Sequence, residues 1–141
     1  MAVAAPPLAA KVVIDGAAEG RIFRLAAPIS FWGGIDPETG LVIDARHPDR
    51  GRSIAGRVVC LPGMIGSSSA SAVMLELLRV GLAPAALVFG ETDAILALGV
   101  VVGRELGYPA IPVLELPPAA QAALPQGALA RVRAGGVIEL A

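Results

Sequence analysis

Ser67, Ser68 and Ser69 follow Gly66 in the run Gly66-Ser67-Ser68-Ser69-Ala70-Ser71, the densest set of side chains in this chain that could do chemistry. A hydroxyl is weakly acidic and weakly nucleophilic, so it reacts only where neighbours take its proton or stabilise its alkoxide. Its place in the chain suggests where such help comes from. Residues 57–61, Arg57-Val58-Val59-Cys60-Leu61, read as a short buried strand that breaks at Pro62-Gly63. Ala70–Val80 reads as a helix with Val73, Leu77, Leu78 and Val80 able to line one face. The serines therefore open a helix, where the first N–H groups lack intrahelical partners and the macrodipole favours negative charge. Serine is also a preferred N-cap. A cap needs only one of these residues, and the local pattern leaves both roles open.

Three templates test the chemical role. A phosphate-binding loop needs a lysine after its last glycine, and the only lysine here is Lys11. A hydrolase nucleophile elbow, G-x-S-x-G, fails because Ala70 stands at the last glycine and the single histidine, His47, lies upstream. The third is a serine base at a helix N-terminus, its oxyanion held by backbone N–H groups and by groups from another domain or chain. That template suits a chain with an incomplete catalytic set. His47 sits in the charged loop His47-Pro48-Asp49-Arg50-Gly51-Arg52, with no second base or metal ligand at a telling spacing, and is expected to be solvated. Cys60, the only cysteine, is expected to be a buried structural thiol. Ser30-Phe31-Trp32-Gly33-Gly34 reads either as a packed corner or as a cleft lining, with Trp32 as a wall and Gly33 and Gly34 admitting a close surface.

The elements that position these residues follow from length and pattern. At 141 residues the chain fits one domain. A net charge of −1 without a basic cluster argues against nucleic acid. No segment reaches the roughly 20 apolar residues of a membrane span, and residues 1–10 lack the charge and apolar core of a signal peptide, so a cytoplasmic protein with a flexible N-terminus over 1–10 is expected. The chain is 55% hydrophobic and only 16% charged, which leaves apolar surface for a large partner interface.

Residues 11–15 and 21–25 read as short strands. Asp36-Pro37-Glu38-Thr39-Gly40 is turn chemistry, and the chain returns along residues 41–44 in a hairpin-like way. Residues 85–89 and 111–116 are apolar strands. Between them, residues 91–107 form a second helix, with Thr92 as its cap and Ile95, Leu98, Val102 and Leu106 at helical spacing. The middle is thus β-α-β-α-β, which favours parallel strands with helices beside them. Residues 117–127 hold one helical turn at most, and residues 130–140 a strand broken at Gly135-Gly136. The expected fold class is α/β: one domain over 11–141, with β hairpins before and after this heart.

Ser30-Phe31-Trp32-Gly33-Gly34-Ile35-Asp36-Pro37, His47-Pro48, Gly66-Ser67-Ser68-Ser69-Ala70-Ser71, Ala83-Pro84-Ala85-Ala86 and Ile95-Leu96-Ala97-Leu98-Gly99 together resemble the small swivel subunit of the aconitase X family. The likeness covers residues 21–113. It implies a swivelling β/β/α domain that closes over a large catalytic subunit as a heterodimer or higher assembly. It also implies an iron–sulfur cluster or iron on that subunit and no cofactor or metal on this chain. The serine after the motif's glycine is the proposed base, which falls on Ser67; Gly66, Ser68 and Ser69 would hold a substrate carboxylate or oxyanion. An unaided serine is far too weak a base for a carbon-bound proton, so Ser67 should do little without its partner. Met64 and Ile65 depart from the small or basic residues of relatives. Ser69 stands where aconitase has an arginine, which argues against citrate. The resemblance implies a hydro-lyase acting on a small hydroxy acid: cis-3-hydroxy-L-proline, giving a pyrroline carboxylate, or else phosphomevalonate. In that reaction Ser67 would take the α-proton while the partner's metal assists loss of the hydroxyl. A non-catalytic lid or assembly module is the reading from another class.

Overall fold

The computed structural model describes residues 6–141. In chain order the elements are β1 (Leu8–Ala9), β2 (Lys11–Ile14), β3 (Ala18–Arg24), α1 (Phe31–Gly34), β4 (Val58–Leu61), α2 (Ala70–Val80), β5 (Ala86–Phe89), α3 (Ala94–Glu105), β6 (Val113–Glu115), α4 (Pro118–Gln121), β7 (Leu129–Arg133) and β8 (Val137–Leu140). The strands lie in the order β1-β8-β7-β3-β4-β5-β6-β2. β3, β4, β5 and β6 run parallel, as the alternation of short apolar runs with helices predicts. β3 joins two kinds of sheet: Ala18 to Arg21 pair antiparallel with β7, and Ile22 to Arg24 pair parallel with β4.

The pleat sorts the central side chains onto two faces. Phe23, Val59, Leu61, Leu87, Phe89 and Val113 meet α2 and α3 in one core. Ile22, Val58, Cys60, Ala86, Val88 and Leu114 meet Ala130, Val132 and Ile138 of the C-terminal hairpin in a second core. Every residue of β4 and β5 is buried, because each of these strands is covered on both sides. The result is three layers, helices on a parallel sheet on an antiparallel sheet: the α/β, β/β/α class that was expected.

Several elements depart from expectation. β2 and β3 form no hairpin: β2 pairs antiparallel with β6 at the far edge, while β3 enters the middle of the sheet. The return after Asp36 is made of isolated bridges, Ile35 with Val42 and Leu41 with Ser53, rather than of strands. Residues 1–5 lie outside the described residues. Leu8–Ala9, however, pairs with Ile138 and Val137 of β8, so ordered pairing begins ahead of the expected boundary at Lys11. Asp93, and not Thr92, caps α3, its Oδ1 accepting the N–H groups of Ile95 and Leu96 at 3.0 Å each.

The two long helices also show how spacing misleads. Val80 is exposed, although Val73, Leu77 and Leu78 are buried as expected. In α3 the stripe of Leu98, Val102 and Leu106 faces outward, Leu98 being 53% and Leu106 57% exposed. The buried face is Leu96, Ala97, Gly99, Val100 and Gly103. α3 is apolar nearly all round, so periodicity alone does not choose a face. Close approach chooses it: a Cβ on Gly99 would lie 2.8 Å from the Ser71 carbonyl oxygen and 3.0 Å from Met74 Cβ. The helices are in contact through the missing side chain.

Candidate active site

Pro62 has no N–H to extend the ladder, so β4 stops at Leu61 and the chain turns out at the C-terminal end of the parallel strands, the usual ligand side of such sheets. Residues 62–69 form the loop that carries the serines into α2. Its first part leans on the segment after β3. Ile65 N–H donates to Ile29 O at 3.0 Å, Met64 bridges Ile29 in parallel sense, and Gly63 packs beside Pro28. Its base is tied to β5 through Gly90 N–H to Leu61 O at 2.7 Å. Gln121 of α4, buried, directs its Nε2 to the carbonyl oxygens of Leu61, Val88 and Leu116 at 3.2, 3.4 and 3.1 Å, and so gathers the ends of β4, β5 and β6.

Ser67 is half-buried and its Oγ accepts one bond, the Ser69 N–H at 3.3 Å. Ser69 occupies the N-cap of α2 without a side-chain capping bond, and Ser68 is exposed. The N–H groups of Ser68 and Ser71 meet no acceptor among the described residues. The serines therefore do little conventional capping. Hydroxyls and unpaired N–H groups gather at the positive end of α2, and the single bond to Ser67 comes from a donor, the polarity that stabilises an alkoxide.

Beside this loop opens a cleft of about 330 Å³ lined by Pro62, Gly63, Met64, Gly66, Glu91, Thr92 and Asp93. Of the predicted residues only Gly66 lines it; the serines stand on its shoulder. Its charged side chains are carboxylates, and no arginine or lysine lines it. Asp93 is engaged in capping α3, whereas Glu91 has no hydrogen-bond or ion-pair partner among the described residues. A second hollow, of about 100 Å³, lined by Pro6, Leu8, Ala123, Leu124, Ile138 and Leu140, is apolar and offers no chemistry.

Trp32, Gly33 and Gly34 do not line the cleft. The 30–34 segment divides its work: Phe31 and Gly34 are buried, while Trp32, at 61% exposure, projects from an irregular turn in which Gly33 takes a left-handed φ of 78°. Ile65 and Ile43 are likewise exposed, and Ile43 N–H bonds the Gly34 carbonyl.

His47 is the clearest correction. It is buried, not solvated, with Nε2 2.9 Å from Ala27 O and Nδ1 accepting the Asp49 N–H at 3.0 Å. Sequence reasoning missed it and also missed Gln121 and Asp93; the Asp93-Ala94-Ile95-Leu96 start was the one available signal, for the cap. Cys60 is buried as expected, and burial pushes its thiol from 9.0 up to about 12, Arg24 opposing weakly. Among the described residues no group of His, Cys, Asp or Glu converges to hold a metal. Cys60 is neutral inside the sheet, so among the described residues no thiolate is offered to an iron centre.

A three-layer β/β/α domain with a serine-bearing helix start at the end of a buried parallel strand is the architecture of a swivel domain. Residues 7–140 match the aconitase X swivel domain, and the chain belongs to that family. It is 43% identical over 103 residues to the cis-3-hydroxy-L-proline dehydratase of Pseudomonas aeruginosa, covering 73% of this chain but only 18% of that protein's length. It is 36% identical over 134 residues to the phosphomevalonate dehydratase small subunit of Thermococcus onnurineus, covering 94% of this chain and 97% of that one. The crystal structure of Thermococcus kodakaraensis aconitase X in its holo form superposes with a TM-score of 0.84 at 34% identity, covering 97% of this chain and 99% of the other.

Proposed function

We propose that this chain is the small subunit of an aconitase X-type hydro-lyase, that Ser67 is its base, and that the substrate is cis-3-hydroxy-L-proline. The observation that carries the substrate choice is the cleft beside Ser67, whose charged side chains are Glu91 and Asp93. A ring ammonium complements such a wall. A phosphate dianion would face like charge with no arginine or lysine on this side to offset it. The dehydratase name of the Pseudomonas relative and the small-subunit name of the Thermococcus relative support the reaction class and a large partner subunit.

In the proposed reaction the Ser67 alkoxide, bonded by the Ser69 N–H and facing the N-terminus of α2, takes the α-proton of the substrate. The electron pair of the broken C–H bond forms the Cα–Cβ double bond, the hydroxyl leaves from Cβ with a proton to give water, and the enamine tautomerises to the pyrroline carboxylate. The iron–sulfur cluster or iron that the family resemblance implies is expected on the large subunit. The 97% coverage of the archaeal small subunit favours a second reading, phosphomevalonate dehydration.

Dehydratase assays of this chain co-purified with its large subunit, run with each substrate and with each chain alone, separate the readings. Pyrroline formation only by the complex is expected. Turnover of phosphomevalonate alone would replace the substrate, and a complex silent with both would return the chain to a lid or assembly module.

A further inference from the structure

We propose that His47 is a positioning residue for the serine loop, acting through the Ala27 carbonyl with its ring held at both nitrogens; the inference rests on the role of Ser67 given above. Its side chain is 1% exposed. Nε2 lies 2.9 Å from a carbonyl oxygen, which only accepts, so Nε2 carries the hydrogen. Nδ1 lies 3.0 Å from the Asp49 N–H, which only donates, so Nδ1 presents its lone pair. The orientation of the ring is thereby determined at both nitrogens.

The pair it forms with Asp49 grips two successive residues. His47 holds the carbonyl of Ala27, and Asp49 Oδ2 accepts the Ala26 N–H at 2.8 Å. Asp49 is itself steadied by Arg52, whose Nη1 is 3.5 Å from Oδ1 and whose guanidinium carbon is 4.4 Å from the Phe23 ring centroid. After Leu25 N–H bonds Cys60 O, the next backbone anchors of this segment are these two bonds. The following one is Ile29 O, which receives Ile65 N–H, where Ile29 also bridges Met64. His47 thus anchors the segment on which Met64 and Ile65 lie, two residues before Ser67. A base that must meet a carbon-bound proton at one geometry is sensitive to displacement of that support.

The test uses two variants that each keep half of the imidazole's bonding. His47→Gln places an amide N–H near Nε2 and retains the Ala27 bond; His47→Asn places an amide oxygen near Nδ1 and retains only the Asp49 bond. In the assembled complex His47→Gln is expected to stay within about threefold of the native kcat. His47→Asn is expected to lose on the order of tenfold or more in kcat, with KM nearly unchanged. Hydrogen exchange on the chain alone gives a readout independent of activity: the Ile65 amide exchanges about tenfold faster in His47→Asn and at the native rate in His47→Gln, while Val59 and Leu87 stay protected in both. Should His47→Asn not fold, Asp49→Ala, which releases the Ala26 N–H, is expected to accelerate Ile65 in the same way. Equal kcat and equal Ile65 exchange in the two histidine variants would overturn the proposal. Accelerated Ile65 exchange together with no dehydration by the native complex would refute the functional reading and leave the positioning of the loop standing.

Discussion

Ser67→Ala separates the two readings of the serine cluster because the structure assigns them different magnitudes. As a structural residue Ser67 contributes one bond, from the Ser69 N–H at a long 3.3 Å, at a half-buried site. Losing a bond of this kind costs about 0.5–1 kcal/mol. For a chain of this size that is about 2–3 °C in melting temperature. α2 stays anchored by Ala70, Val73, Met74, Leu77 and Leu78, so the variant remains folded and able to assemble. A loss of that size from a domain stabilised by roughly 5–15 kcal/mol leaves the folded fraction, and hence any structurally derived activity, almost untouched. As the base, Ser67 supplies a proton-transfer path worth about 10²–10⁴ in rate. The assay is kcat for pyrroline formation by the complex, beside thermal unfolding of the chain, for Ser67→Ala and for the exposed Ser68→Ala. Expected is a kcat loss of at least about a hundredfold in Ser67→Ala and a smaller change, mostly in KM, in Ser68→Ala. Retention of more than about a tenth of native kcat by Ser67→Ala would refute the base assignment and leave the serine as a minor part of the helix start.

Four further outcomes follow from particular contacts. Gln121→Leu leaves three carbonyl oxygens at the strand ends without their Nε2 donor and should cost about 1–3 kcal/mol in denaturant unfolding; an unchanged midpoint would refute its role in gathering the strand ends. Gly99→Ala should lower the melting temperature even though alanine favours helix by about 1 kcal/mol, since its methyl meets the Ser71 carbonyl at 2.8 Å; a raised melting temperature would show that the helices can part. Cys60 should resist alkylation at pH 8 in the folded chain and react on unfolding. Since folding raises its pKa from 9.0 to about 12, its contribution to stability is whole below pH 9 and is lost as pH rises from there through 12, a decline absent in Cys60→Ala. Glu91→Gln should raise KM for cis-3-hydroxy-L-proline several-fold with little change in kcat, and an unaltered KM would count against the ammonium-facing wall.

The alternation of short apolar runs with helical segments determined the parallel β4-α2-β5-α3-β6 heart, because strand and helix periods are local properties of the chain. The Gly66-Ser67-Ser68-Ser69 run announced a helix start at the end of a buried strand, and α2 spans the predicted Ala70–Val80. Buried Cys60 was legible for the same reason, since it sits inside an unbroken apolar run. What pattern left undecided are choices of partner. β2 joins β6 and not β3, although β3 is nearer in sequence: β3 is already paired on both sides, with β7 and β4, whereas β6 offers β2 its open edge. α3 carries apolar residues on several sides, and only its glycines against α2 decide which side is inside. His47 looks solvated among Asp49, Arg50 and Arg52 until the fold brings Ala27 over it, and Gln121 looks like a surface residue until three carbonyls converge on it. Each of these depends on atoms distant in the chain, whose proximity only tertiary packing creates.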